Sequence, residues 1–186
     1  MARILAAKAL LSRKTPVLAR SLLGKLLVRR LPDGSIRRQR ITEVEAYHGE
    51  RDRACHASRG RTARTEVMYA AGGCWYVYLC YGIHEMLNLV TGPAGHPAAV
   101  LVRGVEGLVG PGRLTRALAI DRRLNGAPAT PESGLWLEDD GFVVRRGRVR
   151  AGARVGIDYA GAFWAAKPWR FELRPDAPVG RKRRPA

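Results

Sequence analysis

Two strand–turn–strand patterns constrain the fold of this chain more than any other feature. In the first, residues 25–30 lead through the turn PDGS at 32–35 into a long strand at 36–47. In the second, CWYVYLCYG at 74–82 turns at its glycine into EMLNLVT at 85–91. Turn residues between two β-prone runs are typical of hairpins, whose strands are antiparallel. The sequence therefore predicts a mostly antiparallel sheet.

Two helices are predicted beside these strands. The first lies in KTPVLARSLLG, with Thr15 as the N-cap, Pro16 at the first helical position and Gly24 as the terminator. The second is GPGRLTRALAI at 110–120, which begins with glycine and proline. The two helices are interspersed among strands that are mostly antiparallel.

The remaining segments complete an α+β pattern. AAVLVRGVE at 98–106 is apolar enough for a central strand, and LWLEDD is predicted to pair with FVVRRGRVR across Gly141. RVGIDYAG and WRFELR close the fold. Because the strands do not form βαβ units, we predict one α+β domain over residues 1–186, with 175–186 as a flexible basic tail.

The charge of the chain points to a polyanionic partner. There are 33 Lys and Arg against 16 Asp and Glu, so the formal net charge is +17. Nucleic acid is the first candidate partner and an anionic membrane surface the second. No apolar run approaches the roughly 20 residues of a membrane span. Arginine, which dominates the basic residues, suits phosphate, but a genome rich in arginine codons would give the same excess.

The cysteines and histidines follow no metal or disulfide pattern. Cys55, Cys74 and Cys80 are odd in number and irregular in spacing, which favours a reducing, cytoplasmic setting. His56 and His84 add no C-x-x-C or H-x-x-x-H spacing, so no metal is predicted. The N-terminus MARILAAKALLSRKTP lacks a convincing small-x-small cleavage site, which favours a short helix over a signal peptide.

Acidic side chains on the long strand are unexpected in so basic a chain. Alternation places Ile41, Glu43, Glu45 and Tyr47 on one face. A solvated face paired with arginines is the ordinary interpretation. A carboxylate in a groove that faces DNA weakens binding, however, unless it has a task such as activating a water. The long polar loop that follows, 48–73, is typical of a functional or disordered segment.

The hairpin at 74–91 is rich in aromatic residues. Trp75, Tyr76, Tyr78 and Tyr81 fall within seven positions. Core packing accounts for one or two of them, since aromatic residues favour strands. A platform on which bases stack, with a ring that pushes between base pairs, is the functional interpretation. Tyr81 precedes Gly82, where a turn would make it protrude, and Tyr78 faces the opposite side of the strand.

Six sequence blocks together resemble one known family. They are, in order, ITEVEAY, ACHASRGRTAR, MYAAGGCWYVYLCYGIHEMLNLV, VLVRGVE, GPGRLTRALAI and ARVGIDYAG with AAKPWRF, covering about residues 9–175. The chain is thereby similar to the alkyladenine (3-methyladenine) DNA glycosylases. The resemblance implies a mixed domain around a curved, mostly antiparallel sheet, with helices outside and a protruding hairpin. It also implies removal of alkylated or deaminated purines from duplex DNA by hydrolysis, without metal or cofactor.

The resemblance assigns roles to residues by position. Glu45 corresponds to the base that activates the attacking water, and Arg103 and the carbonyl of Val155 correspond to further ligands of that water. Tyr81 corresponds to the wedge that fills the gap in the base stack. The flipped base is expected to lie among residues matching the family's stacking rings, pocket histidine, edge-reading backbone and pocket asparagine: Tyr47, Tyr78, His56, Ala54 and Asn88.

Other expectations follow from the same positions. No lysine lies in the matched pocket segments, so no Schiff base or strand cleavage is expected. Thr65 stands where the family pattern has asparagine, and Trp75 where a smaller residue is common. We expect a monomeric, cytoplasmic, nucleoid-associated enzyme that acts on double-stranded DNA with a damaged purine. A non-enzymatic basic DNA- or RNA-binding protein is the alternative, and Glu45 distinguishes the two.

Overall fold

One open, curved antiparallel sheet organises the residues that the computed structural model describes, 2–145 and 147–174. The predicted basic tail, 175–186, lies outside the described residues. Within them the sheet has ten strands, in chain order β1 Arg3–Ile4, β2 Leu26–Arg30, β3 Ile36–His48, β4 Trp75–Cys80, β5 His84–Val90, β6 Ala98–Val105, β7 Leu108–Val109, β8 Leu135–Asp139, β9 Val149–Gly152 and β10 Arg170–Leu173.

The long strand β3 is the centre of the sheet. The main path runs β1–β8–β2–β3–β6–β5–β4, and every pairing in it is antiparallel. β10 also pairs with β3 and carries β9, while β7 pairs with β6. Both predicted hairpins, β2–β3 and β4–β5, are confirmed, and so is the internal position of β6.

Within the described ranges, three α-helices accompany the sheet: α1 Thr15–Leu22, α2 Pro111–Ala117 and α3 Ala162–Ala165. α1 packs on β3, and α2 packs on β5 and β6. Their apolar side chains join the strands in the main core, which includes Leu22, Leu114 and Val100. The α+β class and the outer helices are therefore confirmed. No helix in the described part of the chain is long and apolar enough to cross a membrane.

A bulge in β3 changes the predicted alternation. The pairing of β3 with β6 shifts register between Ile41 and Glu43 and again between Glu43 and Val44. Ile41 is consequently buried in the same core cluster as Val44. The prediction that Ile41 shares a face with the two glutamates is wrong, because an irregular ladder breaks the period of two. Glu43, Glu45 and Tyr47 do remain together.

Three local predictions are corrected by the structure. The described residues around Gly141 form no hairpin, because β8 pairs with β1 and β2 while β9 pairs with β10. Thr15 is not an N-cap: Lys14 precedes the helix, and the Thr15 hydroxyl hydrogen-bonds to His48 Nδ1 at 2.9 Å. The N-terminal helix is a 3-10 turn, Ala7–Leu10, preceded by β1.

Candidate active site

A cavity of about 530 Å³ opens beside the β4–β5 hairpin. The loop after β3 closes another side with two 3-10 turns, His56–Arg59 and Glu66–Tyr69. All the residues that the sequence predicts for the site, except Glu45, line this cavity: Tyr47, Ala54, His56, Tyr78, Tyr81, Asn88, Arg103 and Val155. The fold thus brings together positions up to 108 residues apart in the chain (47 and 155).

Glu45 lies directly behind the lining. Its side chain is fully buried, and its two oxygens accept hydrogen bonds from the Tyr47 hydroxyl at 2.8 Å and the Val155 amide at 2.8 Å. Burial raises the pKa of Glu45, and the charge of Arg103, the Val155 amide and the Tyr47 hydroxyl act in the opposite direction. A carboxylate with a raised pKa accepts a proton more readily, which suits a general base.

Arg103 stands between two carboxylates. Its Nε donates to Glu43 Oε1 at 3.0 Å and lies 3.5 Å from Glu45 Oε1. Gly104 allows this approach, since a Cβ there would lie 3.3 Å from the Glu43 Cβ. Arg103 also lines the cavity, so one residue contacts both acids and borders the open space.

Val155 contacts Glu45 through its backbone amide. The family resemblance assigns its carbonyl to the water, and that role remains a prediction. The amide contact nevertheless places this segment, from the loop before α3, directly against the carboxylate. The side chain of Val155 is largely exposed.

Aromatic rings form one wall of the cavity. His56 lies edge-on to Tyr78 with ring centroids 4.6 Å apart, and Tyr76 lies 5.2 Å from Tyr78. His56 Nδ1 hydrogen-bonds to the Tyr76 hydroxyl at 2.9 Å. Burial, followed by the charges of two arginines, lowers the pKa of His56 to about 4. His56 is therefore neutral near pH 7, and Tyr76, which sequence reasoning gave no role of its own, fixes its orientation.

Trp75 belongs to the core and not to the cavity wall. It is fully buried, and its indole N–H donates to the Leu135 carbonyl at 2.9 Å. The core interpretation is confirmed for this aromatic residue. Its size fills the space between β4 and β8.

Asn88 is held in one orientation. Its amide nitrogen donates to the carbonyls of Tyr76 at 3.1 Å and Met86 at 3.3 Å. The side chain is buried at the cavity wall. A fixed polar group at this position can discriminate between purine edges.

Tyr81 protrudes from the hairpin as predicted. It has a φ of 50°, followed by Gly82 at 72°, and 89% of its surface is exposed. A non-glycine residue in this region is uncommon and costs backbone energy. The tight turn thus holds a large ring in solvent beside the cavity mouth.

Thr65 replaces the expected asparagine without opening the loop. It is buried, its hydroxyl accepts the Thr62 amide at 2.8 Å, and it lies 3.1 Å from the Gly60 carbonyl. These bonds close the turn before the second 3-10 segment. Thr65 therefore organises the loop locally.

Sequence reasoning missed a buried ion pair next to the site. Arg154 donates to both oxygens of Asp52, at 2.6 and 2.9 Å, and to the Ala46 carbonyl at 2.8 Å. Asp52 also accepts the amides of His48 at 3.0 Å and Ala54 at 3.1 Å. Arg154 directly precedes Val155 and Asp52 lies two residues before Ala54, but only the folded chain shows that they pair.

The chain was compared with known proteins. The family model described as "Methylpurine-DNA glycosylase" matches residues 9–109 and 106–177. The chain belongs to this family. Relatives named "Putative 3-methyladenine DNA glycosylase" include that of Psychrobacter cryohalolentis, 48% identical over 187 residues, covering 85% of each chain. That of Methanocella arvoryzae is 45% identical over 193 residues, covering 93% of this chain and 94% of its own.

Membership of the methylpurine-DNA glycosylase family confirms the resemblance found in the sequence. It also confirms the enzyme class, a hydrolase that acts as a DNA glycosylase in DNA repair. The roles of the individual site residues remain predictions.

Proposed function

We propose that this chain excises alkylated or deaminated purines from double-stranded DNA, using a water activated by Glu45. The observation that carries the proposal is a fully buried carboxylate, held by two hydrogen-bond donors behind a cavity of purine-compatible size. The substrates belong to the class of 3-methyladenine, 7-methylguanine, hypoxanthine and ethenoadenine. The enzyme acts as a monomer in the cytoplasm, at the nucleoid.

The base must leave the helix before it can react. Flipping costs a few kcal/mol, and damaged bases that pair poorly flip more readily. The exposed ring of Tyr81 fills the vacated space in the stack, which offsets part of that cost. Tyr47 and Tyr78 then stack against the flipped base, with His56 closing the same pocket.

Hydrolysis follows at the sugar. The water oxygen bonds to C1′, its proton passes to Glu45, and the N-glycosidic bond breaks with its electrons going to the base. The transition state is oxocarbenium-like, as in glycoside hydrolysis. Glu45 thus has two uses, since its negative charge also favours the cationic sugar. Arg103 and the Val155 carbonyl hold the water.

The charge of the leaving base separates two kinds of substrate. A cationic alkylpurine leaves as a neutral base and stacks favourably on electron-rich rings. A neutral purine such as hypoxanthine needs a proton as well. His56, with its pKa lowered to about 4, is neutral at pH 7 and serves as a wall of the pocket.

The reaction ends at an abasic site. Among the described residues, none that lines the cavity is a lysine, so the pocket offers no amine for a Schiff base. We expect no strand break before alkali treatment. A covalent adduct trapped by borohydride would contradict this step.

The decisive experiment compares wild type with Glu45→Gln on duplexes that each carry one defined lesion. Base release should be lost in Glu45→Gln while DNA binding is retained or improved, because the substitution removes a negative charge. A non-enzymatic nucleic-acid-binding protein would release no base in either form. Equal release by both proteins would exclude Glu45 as the base.

A second experiment tests the wedge. Tyr81→Ala should slow excision of a base-paired lesion roughly tenfold, as expected from the loss of about 1–3 kcal/mol of stacking. Excision of a lesion placed in an unpaired bulge should change less. Excision of the paired lesion at the wild-type rate would rule out the wedge role.

A further inference from the structure

Glu43, the second carboxylate of β3, has no role in the proposed reaction. Glu43 is nevertheless buried, and it accepts a hydrogen bond from Arg103, the neighbour of Glu45. The bulge of β3 places Glu43 opposite Gly104, the residue next to Arg103. A local irregularity thus points this side chain at the arginine.

Glu43 takes the hydrogen bond that Arg103 could give to Glu45. Nε of Arg103 donates to Glu43 at 3.0 Å, while Glu45 Oε1 is 3.5 Å away and receives no hydrogen bond from it. Among the described residues, no protein group accepts a hydrogen bond from the two terminal nitrogens of Arg103, which lines the cavity. The arginine is therefore anchored at one end and open at the other.

Glu45 would lose reactivity if Arg103 donated two hydrogen bonds to it. A guanidinium that binds a carboxylate bidentately stabilises the charged form and occupies the oxygen that must take the proton. Among the described residues, Glu45 accepts hydrogen bonds only from the Tyr47 hydroxyl and the Val155 amide. These two donors orient the carboxylate, while Arg103 lies at ion-pair distance, 3.5 Å, without a hydrogen bond to it.

We propose that Glu43 is a positioning residue: by holding Nε of Arg103, it keeps the arginine, which lies at ion-pair distance from Glu45, from donating a hydrogen bond to that carboxylate, and it leaves the terminal nitrogens open to the reacting nucleotide and water. The proposal rests on the proposed function, in which Glu45 is the base. Glu43 acts through Arg103 and does not itself touch the substrate.

The experiment is a titration of the Glu45 carboxyl by carbon NMR, with Glu45→Gln identifying its resonance. Glu43→Gln should lower the midpoint by roughly one unit, because Arg103 moves onto Glu45 and a neighbouring negative charge disappears. The acidic limb of the single-turnover pH–rate profile should shift in the same direction. The charged and polar groups around Glu45 whose balance sets this midpoint are Arg103, Glu43, Tyr47, the Val155 amide and Arg170.

Glu172→Gln is the matched control. Glu172 lies opposite Glu43 on β10 and pairs with Arg170 at 2.8 Å. It makes no contact with Arg103 in the described structure, but it shares Arg170 with Glu43, 3.7 Å away, so its removal should shift the Glu45 midpoint only by the smaller effect of releasing Arg170. An equal shift in both variants would reduce the role of Glu43 to general charge and overturn the proposal.

The coupling between Glu43 and Arg103 gives an independent check. In an Arg103→Gln background, Glu43→Gln should produce only a small part of its shift. The full shift in that background, or a midpoint that stays or rises in the single variant, would contradict the proposal. If Glu43→Gln does not fold, Glu43→Asp replaces it, with a smaller shift in the same direction.

Failure of this inference can be told apart from failure of the proposed function. The NMR titration does not depend on activity, so it reports on Glu43 even in a protein that releases no base. Absence of base release in every variant, including wild type, would count against the glycosylase reaction alone. An unchanged midpoint with full wild-type activity would count against Glu43 alone.

Discussion

Two fully buried carboxylates of the described chain, Asp52 and Glu45, lie near arginines and are satisfied in different ways. Asp52 accepts two bonds from Arg154 and two from backbone amides, so all its contacts come from the protein. Glu45 accepts hydrogen bonds from one hydroxyl and one amide. Arg103, 3.5 Å away, donates its hydrogen bond to Glu43 instead.

The difference separates a structural pair from the proposed general base. A carboxylate that is bidentate with its own arginine has its charge fully compensated. The pair of Asp52 and Arg154 joins the end of β3, the loop that follows β3 and the segment that contains Val155. The incompletely compensated Glu45 keeps a raised pKa. Burial beside an arginine therefore does not by itself indicate catalysis. The number of hydrogen bonds that each carboxylate accepts distinguishes Asp52 from Glu45.

The largest expected effect comes from breaking the structural pair. Asp52→Ala should lower the free energy of unfolding by about 3–5 kcal/mol, because it leaves a buried guanidinium unpaired. Urea denaturation measures this loss. Glu45→Gln should cost little, since it removes a desolvated charge. Glu66→Ala, which breaks an exposed ion pair with Arg61, is the control and should have almost no effect. Equal losses of unfolding free energy in Asp52→Ala and Glu45→Gln would show that the two carboxylates do not differ in this way.

A smaller effect is expected from exchanging the arginines for lysine. Arg154→Lys should destabilise the protein by about 2 kcal/mol, because an ammonium group lacks the planar fork that reaches both Asp52 oxygens. Arg103→Lys should cost less in unfolding free energy, as Arg103 makes a single hydrogen bond. Its effect should fall on the pH–rate profile instead. Similar stability losses in the two variants would show that Arg103 too is structural.

The sequence predicted the members of the site better than the contacts between them. Glu45, Tyr47 and Tyr78 occur in local motifs, and strand alternation already places the first two together. The structure brings the predicted positions to one cavity, as the resemblance implied. A motif can identify the members of a site because its residues lie within one strand or turn.

Contacts between distant segments could not be predicted in the same way. The pair of Asp52 and Arg154 joins residues 102 positions apart, and although Arg154 stands in the block ARVGIDYAG, nothing in that block identifies Asp52 as its partner. Ile41 lies on a different face from the two glutamates because of a bulge opposite Gly104, and the period of two in the sequence does not reveal that bulge. The wrong hairpin at Gly141 has the same origin, since β9 finds its partner in β10, at the end of the described chain.

The hydroxyl of Tyr47 offers a finer test of the reactive carboxylate. Tyr47→Phe keeps the ring but removes a donor that stabilises ionised Glu45, so the pKa of Glu45 should rise further, by about one unit or 1.4 kcal/mol. The acidic limb of the pH–rate profile should move to higher pH. Tyr159→Phe is the control, because its hydroxyl donates to the Ala54 carbonyl and not to an acid. A limb that stays in place would show that the hydroxyl does not tune Glu45.

The smallest effect is the contribution of Glu45 to the dependence of stability on pH. Its pKa in the folded protein is raised above the ordinary 4.5. Between these two values the folded state holds a proton that the unfolded state has released, so the free energy of unfolding falls as pH rises through this window. The difference between wild type and Glu45→Gln, measured by urea denaturation across the window, isolates this contribution. Wild type should lose stability relative to the variant with rising pH. A difference that is flat, or that grows in favour of wild type, would mean that Glu45 is as fully compensated in the folded protein as Asp52.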